Sequence, residues 1–273
     1  MITYFSKGVW MSIKSSSFFL ALILTISAGL AFNGYVLAET SSDNPLVKTF
    51  EAHGGLDKWA GKGTMIYTLD GFPLSPQVAK PNKSTIDLKN RYNLIEGEGF
   101  TVGFNGLQAW AVPGPDAVGL PTRFFNLGSF YFIGMPFVFG DSGTVITDAG
   151  TATFKGKTYR VANVGYKRGT GYTSSDDYVL LIDPVTDRLA LIHHSVTEVP
   201  DVDRVTWVFN EWQEVDGLLV PALLTFYPGW NPEDPGEGSV TVIRNVSFSD
   251  DSPDPSIYNP PDEAVIDDSP EIH

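Results

Sequence analysis

An aromatic-rich segment, Leu120–Gly140, lies near the middle of the 273-residue chain, and its uncharged run begins at Phe124. No charged residue occurs from Phe124 to Gly140, and seven of the sixteen positions from Phe124 to Phe139 are aromatic. Burying one large apolar side chain contributes roughly 1.5–3 kcal/mol, so this run must be covered by protein, lipid or ligand. A membrane-spanning helix needs about 20 apolar residues, whereas this run is shorter and contains an asparagine, a serine, three glycines and a proline.

The apolar residues of this aromatic run recur with helical spacing, which predicts one or two short, broken helices. Two interpretations of these helices follow. In the first, they plug the core of a β-sheet and have no further role. In the second, they form a movable lid on a groove of lipid size. The residues of the run are compatible with both interpretations.

Alternating apolar and polar residues dominate the chain from Thr64 onward, a pattern typical of half-buried β-strands. In the segment Ser84–Ile95, for example, one predicted face is apolar, and the other carries polar residues that include Arg91 and Asn93. About ten or eleven such strands with short turns predict a mainly β protein, an antiparallel barrel or strongly curved sheet. An N-terminal helix is predicted at Asn44-Pro45, because asparagine caps a helix and proline suits its first turn.

The two ends of the chain differ from this pattern. Residues 1–38 are predicted to be a signal peptide, with Lys7 and Lys14 before an apolar segment and a cleavage site after Ala38. The alternative is a membrane anchor that is retained. Residues 39–261 are predicted to form a single β domain. Residues 262–273 are acidic and are predicted to be a disordered tail, since such a segment cannot build a core of its own.

Charge and cysteine content exclude several classes of function. The net charge of the whole chain is −14, and removal of Lys7 and Lys14 with the signal peptide leaves −16. This charge argues against a nucleic-acid or anionic-membrane partner and favours an exported protein that is soluble in the periplasm, with no stable membrane span after cleavage. The chain contains no cysteine, so disulfides, thiol nucleophiles and thiolate metal sites are impossible.

The sequence contains none of the common catalytic motifs. No serine lies in a G-x-S-x-G motif, and no H-E-x-x-H motif is present. His193 and His194 are the best metal candidates, but adjacent residues of a strand point to opposite faces. We therefore predict no catalytic residue, no metal site and no cofactor.

The order of several short motifs resembles a known family. The chain from residue 44 to 261 is similar to the superfamily of outer-membrane lipoprotein carriers and receptors, the LolA/LolB-like fold, including its uncharacterised periplasmic branches. The motifs that carry this resemblance are AHGGLDKW at Ala52–Trp59, FNGLQAW at Phe104–Trp110, the aromatic run, YVLLIDPVTDRL at Tyr178–Leu189, DGLLVP at Asp216–Pro221 and NVSFS at Asn245–Ser249.

This resemblance implies an incomplete, strongly curved antiparallel β-barrel, with helices as a lid over its concave side. The cavity of the family takes acyl chains of lipoproteins or related lipids. The chain departs from the family in two ways, because it is longer than a typical carrier and has an additional acidic tail.

The predicted function is therefore that of a periplasmic, non-enzymatic binding or carrier protein for a hydrophobic ligand, namely lipid or acyl chains, with envelope lipoproteins as candidate partners. One alternative is a hydrolase or isomerase of a hydrophobic substrate that uses acids or His53, His193 or His194. Another is a structural or sensor module of the envelope with a filled core. The predicted ligand-binding residues are Phe124, Phe125, Phe130, Tyr131, Phe132 and Phe137 of the aromatic run, and Trp110, Trp207 and Phe209 on the opposing sheet.

Overall fold

A computed structural model describes residues 43–170, 173, 175–197, 202 and 204–267. The predicted signal peptide, residues 1–38, lies outside the described residues. Thirteen strands form one antiparallel sheet that is curved and not closed. The prediction of a mainly β, incomplete barrel is thus confirmed, although the sheet has more strands than the ten or eleven expected.

The elements follow one another along the chain with short connections. The α-helices are α1 Val47–Ala52, α2 Leu56–Gly61 and α3 Thr122–Ile133. The strands are β1 Thr64–Asp70, β2 Asn82–Asp87, β3 Tyr92–Gly97, β4 Phe100–Phe104, β5 Ala109–Val112, β6 Thr144–Phe154, β7 Lys157–Tyr166, β8 Tyr178–Ile182, β9 Leu189–Ser195, β10 Arg204–Val215, β11 Leu218–Pro228, β12 Ser239–Ser249 and β13 Val265–Asp267. Short 3-10 helices occupy Pro76–Val78, Pro115–Ala117, Phe137–Gly140 and Pro255–Tyr258.

Two meanders of strands meet in the middle of the sheet. The order across the sheet is β13-β5-β4-β3-β2-β1-β12-β11-β10-β9-β8-β7-β6. Strands β1 to β5 pair with their sequence neighbours, and so do β6 to β12. The two meanders join where β1 pairs with β12, with Thr64 opposite Ser249 and Asp70 opposite Val242.

The N-terminal helix that the sequence predicts at Asn44-Pro45 is present but begins later, at Val47, with Leu46 at the N-cap position. The side chain of Asn44 accepts a hydrogen bond from the N–H of Leu46 at 2.9 Å in the turn that precedes this helix. Gly54 and Gly55 have φ of 110° and 92°, values that favour glycine, and they separate α1 from α2. A side chain on Gly54 would also collide with the carbonyl oxygen of Gly217, so this break holds the helices against the β10–β11 hairpin.

The prediction of one continuous strand over Ser84–Ile95 is wrong. The carboxylate of Asp87 accepts the N–H groups of Lys89 at 2.8 Å and Asn90 at 3.1 Å, and Arg91 has a φ of 59°. These contacts form a tight turn, because a short acid side chain can hydrogen-bond the backbone two or three residues ahead. The chain reverses there into the β2–β3 hairpin. Asn93, predicted on the polar face, therefore points into the core.

The aromatic run forms a buried segment that covers one face of the sheet, which is compatible with both interpretations. We call Thr122–Gly140 the aromatic plug, and the sheet face beneath it the inner face. The plug consists of α3 and the 3-10 helix Phe137–Gly140, separated by Gly134 and Pro136. Its rings pack against aromatic residues of the sheet and of α2, which makes this layer the main hydrophobic core.

The C-terminal segment is more ordered than predicted. Residues 262–273 were expected to be disordered, yet Val265–Asp267 forms β13 and pairs with Ala109–Ala111 of β5. The carboxylate of Asp267 accepts the N–H of Arg123 in the first turn of α3 at 2.9 Å. This segment has no core of its own, but it gains order by pairing with the edge strand β5 and by its contact with the N-terminus of α3. Residues 268–273 lie outside the described part of the chain.

Candidate functional site

A cavity of about 160 Å³ lies between α3 and the ends of β7, β8 and β9. Its walls combine aromatic residues of the plug with tyrosines of the sheet and a few polar groups. Pockets for drug-sized ligands measure roughly 300–1,000 Å³, so this space is too small for a long acyl chain while the plug keeps its position. The principal lining residues are Arg91, Phe124, Phe130, Tyr131, Phe132, Asp141, Tyr166, Asp176, Tyr178, His194 and Ser195.

Four of the nine predicted ligand-binding residues line this cavity. They are Phe124, Phe130, Tyr131 and Phe132.

Phe125 and Phe137 are plug residues that lie in the main core, away from the cavity. The ring of Phe125 contacts Phe72 with a centroid distance of 5.4 Å. The ring of Phe137 stacks on Trp59 with a centroid distance of 4.7 Å. Both side chains are fully buried in the main core. These two residues therefore hold the plug in the main core and do not line the cavity.

The three predicted residues of the sheet lie in two different places. Trp207 is on the inner face, with its ring 4.6 Å from that of Phe132. Phe209 is also in the main core and stacks on Trp212 at 5.1 Å. Trp110 is on the outer face, where its indole N–H donates to the carbonyl of Tyr258 at 2.8 Å. The structure therefore brings eight of the nine residues together at the inner face and leaves Trp110 on the other side.

Two buried polar contacts hold the plug to the β2–β3 hairpin. The side-chain amide of Asn93 donates to the carbonyl of Asn126 at 2.8 Å, and that of Asn126 donates to the carbonyl of Asn93 at 3.2 Å. The guanidinium of Arg91 contacts both carboxylate oxygens of Asp141, at 2.7 and 2.9 Å. Burial raises the pKa of Asp141, and the Arg91 cation opposes that rise. Each contact anchors one part of the plug.

Three tyrosines surround the inner end of the cavity. The hydroxyls of Tyr131 and Tyr166 are hydrogen-bonded to each other. The ring of Tyr178 is 5.8 Å from that of Tyr131 and 6.1 Å from that of Tyr166. Burial raises the pKa of both Tyr131 and Tyr166 well above the usual value. The phenols therefore stay neutral at physiological pH.

His194 is a buried, neutral side chain of the cavity wall. Its ring stacks on Tyr178 with a centroid distance of 4.8 Å and an interplanar angle of 10°. Its Nδ1 donates to the carbonyl of Ser195 at 2.7 Å, so Nε2 is an acceptor, and Nε2 has no partner among the described residues. Burial lowers the pKa of His194 to about 3, and the ring carries no charge at neutral pH.

Among the described residues of the cavity, Ser195 and His194 do not form a nucleophile–base pair. The hydroxyl of Ser195 donates to Asp176 at 2.9 Å and accepts the N–H of Asp177 at 3.0 Å, and it makes no contact with the His194 ring. His193 points to the opposite face, as predicted, and contacts Thr206. Within the described residues, no cluster of three histidines or acids could hold a metal ion, and no helix there is long and apolar enough to cross a bilayer.

Sequence reasoning missed the polar part of the cavity. Tyr178 and His194 are directly paired between β8 and β9, and the alternation of those strands already indicates that both side chains share a face with buried leucines and isoleucines. No comparable pattern exists for Arg91 and Asp141, which are 50 residues apart. Their pairing depends on the turn after Asp87 and on where the plug ends.

Comparison with protein-family models and with curated protein sequences gives no match. Among solved structures, the chain is similar to a LolA superfamily protein from Nitrosomonas europaea, with 12% identity and a TM-score of 0.49 over 79% of this chain and 96% of that one. It is also similar to a DUF1329 family protein from Desulfovibrio piger, with 11% identity and a TM-score of 0.43 over 75% of this chain and 93% of that one. The first belongs to the superfamily that the motif order resembles, and the likeness concerns the fold alone.

Proposed function

We propose that this protein is an exported, non-enzymatic binding or carrier protein for a hydrophobic ligand. The ligand is a lipid or the acyl chains of a lipoprotein, held against the inner face and covered by the aromatic plug. The observation that carries this proposal is the plug itself. It is an aromatic segment outside the sheet that seals an aromatic face and has a cavity already formed along one side.

The plug is built to exchange places with an acyl chain. It contributes no strand to the sheet, and most of its contacts with the inner face are between apolar side chains. Moving the plug away from the sheet would expose to water both the aromatic rings of the plug and those of the inner face. A ligand that fills the vacated space restores burial at about 0.8 kcal/mol for each methylene group. Opening and binding are therefore coupled, and the unliganded protein remains closed.

The polar contacts limit how the plug can move. Asn93–Asn126 fixes the middle of α3, and Arg91–Asp141 fixes the end of the plug. Both involve the β2–β3 hairpin. The cavity lies on the other side of α3, toward β7 to β9. We propose that the plug swings about its anchored side and widens the cavity toward those strands, over Trp207 and Phe209.

The proposal extends to location and partners. The predicted signal peptide and the strongly acidic composition support a periplasmic protein that is soluble after cleavage. A hydrophobic ligand is the primary partner, with envelope lipoproteins as candidates that deliver or receive it.

Lipid analysis of the purified protein tests this function. The full-length sequence is expressed with its own leader, purified without detergent and extracted for lipid mass spectrometry. We expect an acylated species at a molar ratio near that of the protein. A lipid-free protein that also fails to bind a fluorescent fatty acid would contradict the proposal.

Replacing the rings that line the cavity tests the binding residues. We expect Phe130→Ser with Phe132→Ser to abolish fatty-acid binding while the far-ultraviolet circular dichroism of the sheet is retained. The matched control is Phe154→Ser, which removes a buried ring from the separate small core on the outer face. Equal binding by both variants would show that these rings are not the lining.

One observation favours a second function, a structural or sensor module of the envelope with a filled core. The cavity of about 160 Å³ is small, and the plug rings pack tightly on the sheet. Two results together would favour this function over the carrier. The protein would bind no amphiphile, and both the Phe130→Ser with Phe132→Ser variant and the Phe154→Ser variant would be less stable than the wild type.

A further inference from the structure

We propose that the free edge of β6 binds an extended peptide by strand addition, and that this peptide is the polypeptide part of an acylated ligand. The hydrocarbon chain of that ligand lies in the cavity beside α3. The position of the hydrocarbon chain rests on the proposed carrier function, whereas the peptide site stands on the geometry of the strand edge. The ligand class is therefore an acylated polypeptide and not a free lipid.

The two edges of the sheet differ in how they are covered. At one edge, the segment Val265–Asp267 pairs with β5 although it has no core of its own. At the other edge, β6 pairs with β7, and no further strand lies beside it among the described residues. β6 has 11 residues, about twice the usual length of a strand. The protein thus shows that a short segment becomes ordered on such an edge, and it leaves the longer edge open.

The main-chain groups of β6 that face away from β7 follow from the ladder. The N–H of Lys167 donates to the carbonyl of Gly143 at 2.8 Å, so Gly143 directs its main-chain groups toward β7. This direction alternates along an antiparallel strand, so Ile146 and Asp148 direct theirs toward the free edge. Within the described part of the chain, no loop or helix main chain bonds these two residues. An added strand supplies the missing partners.

The sequence of β6 carries little protection against strand addition. Proteins block exposed edges with lysine, proline, a bulge or a covering segment. β6 contains no lysine, arginine or proline, and its one charged residue is Asp148. Its bulge lies between Asp148 and Thr151, so the half Thr144–Asp148 pairs regularly with β7. Val145 and Thr147 are exposed in this half, which is therefore the segment available for pairing.

The side chains of this half define the chemistry of the peptide. Ile146 packs against the main core, and Val145 is 46% exposed on the opposite face. Neighbouring side chains of paired strands contact each other, and like charges opposite each other are unfavourable. Apolar or β-branched peptide residues extend the surfaces of Ile146 and Val145, whereas an acidic residue would lie near Asp148. The site therefore suits an extended peptide that is uncharged or basic.

The free edge is continuous with the cavity. Asp141, Ser142 and Thr144 line the cavity, and Thr144 is the first residue of β6. The edge thus begins at the cavity wall. A peptide attached to an acyl chain in the cavity is then within a few residues of the edge and needs no long linker to reach it. Linking two binding elements in this way raises the affinity of the whole ligand above that of either part.

A second copy of this chain suits the edge less well. Each chain carries a net charge of −14, so two copies repel each other. Antiparallel pairing of two β6 strands about their middle would also place the two Asp148 side chains near each other, which is unfavourable for like charges. An uncharged or basic peptide meets neither obstacle.

Binding of four probes to the full-length protein tests the ligand class. They are dodecanoate, an octapeptide of threonine and valine that ends in lysine, the same peptide with an N-terminal dodecanoyl group, and the acylated peptide with N-methylated main-chain amides. Calorimetry below the micellar concentrations measures each affinity. We expect the acylated peptide to bind at least about tenfold more tightly than dodecanoate. The N-methylated form should lose this advantage, because it cannot donate hydrogen bonds to the edge.

Amide hydrogen exchange, measured residue by residue with NMR, locates the peptide. We expect the acylated peptide to slow exchange at Ile146 and Asp148 at least about tenfold, whereas dodecanoate should leave both unchanged. Thr147, whose main-chain groups face β7, is the internal control and should be protected with and without the peptide. Asp148→Pro removes an outward N–H and should abolish the advantage of the acylated peptide. Asp148→Ala is the matched control, because it removes the same carboxylate and keeps the N–H.

The outcomes for the two proposals are distinct. Equal affinity of the acylated peptide and dodecanoate, or unchanged exchange at Ile146 and Asp148, overturns the peptide site and leaves the carrier function standing. Protection of the edge by the unacylated peptide, without binding of dodecanoate, supports the peptide site and contradicts the carrier.

Two further outcomes overturn the peptide site. Protection of the edge that rises with protein concentration in the absence of any probe assigns the edge to a second copy. Absence of binding by all four probes overturns both proposals. The N-methylated peptide and hydrogen exchange use the wild-type protein, so the test remains decisive if Asp148→Pro fails to fold.

Discussion

At the scale of single residues, two buried histidines make the stability of the protein depend on pH. Burial lowers the pKa of His53 to about 4 and that of His194 to about 3, from 6.5. As the pH falls below 6.5, the unfolded chain therefore binds protons that the folded protein does not. The stabilisation is complete above pH 6.5 and is lost toward pH 4.

We expect the free energy of unfolding to fall by about 1.4 kcal/mol per pH unit for each histidine between pH 6 and 4.5. Urea unfolding at several pH values measures this slope. His194→Gln should remove about half of it. His193→Gln is the matched control, because it makes the same substitution in the neighbouring ring, which is half-buried on the outer face. A steeper loss in His194→Gln would contradict the assignment.

The Arg91–Asp141 pair is a second residue-level feature with a measurable effect. Both side chains are largely buried and make two short contacts. Removing one partner from a buried pair is expected to cost roughly 3–5 kcal/mol, because the remaining charge keeps its desolvation penalty. We therefore expect Asp141→Ala to be more destabilising than the double variant Arg91→Met with Asp141→Leu. Chemical denaturation of both variants measures their free energies of unfolding. An equal loss of free energy in the two variants would show that water reaches the pair and reduces its desolvation penalty.

At the scale of secondary-structure elements, the aromatic plug is the part expected to move. Asn93 and Asn126 each donate to the main-chain carbonyl of the other, so cysteines at these positions are close enough to cross-link α3 to β3. The natural chain has no cysteine, and no other disulfide competes. We expect oxidised Asn93→Cys with Asn126→Cys to bind fatty acid as well as the reduced form, because the cross-link lies on the side about which the plug swings.

The single variant Asn93→Cys is the control, because it loses the same amide but cannot form the cross-link. It should bind equally under oxidising and reducing conditions. Loss of binding in the oxidised double variant alone would contradict the proposed movement and would mean that α3 must leave β3 for the ligand to bind.

The elements also show how far the sequence could be interpreted. The aromatic run predicted the broken helix, because seven rings in a short span must be buried together. Period-two alternation predicted most strands for the same reason. It failed at Asn93, because the turn after Asp87 resets which residues face inward. It failed at β13, because a strand of three residues is too short to show a periodic pattern. This strand forms only by pairing with β5, which is distant in the sequence.

The candidate site was predictable only in its apolar half. Phe130 and Phe132 were identified because aromatic side chains in an uncharged run imply a covered surface. Trp110 was assigned to the same surface by residue type, and its indole instead bonds Tyr258 on the outer face. In the polar half, the alternation of β8 and β9 indicates the shared face of Tyr178 and His194. The Arg91–Asp141 pair depends on which loops meet across the sheet, and local sequence does not encode that meeting.

At the scale of the whole molecule, the open sheet has two edges, and β13 protects one of them. β13 pairs with β5 and supplies Asp267 to the N-terminus of α3. A chain ending at Ala264 should expose the β5 edge, lose roughly 1–2 kcal/mol of stability and associate through the free edge. A chain ending at Asp267 is the matched control. Denaturation and size-exclusion chromatography measure both effects, and identical behaviour would show that β13 is dispensable.

The junction between β1 and β12 sets the order in which the molecule can mature. Thr64 contacts Asp251, which is 187 residues further along the chain, whereas the strands within each meander pair with close neighbours. Local pairings form quickly, and distant ones wait for a costly loop closure. We therefore expect the closure of the sheet between β1 and β12 to form after the hairpins on either side of it, and to limit the rate at which a newly synthesised chain matures.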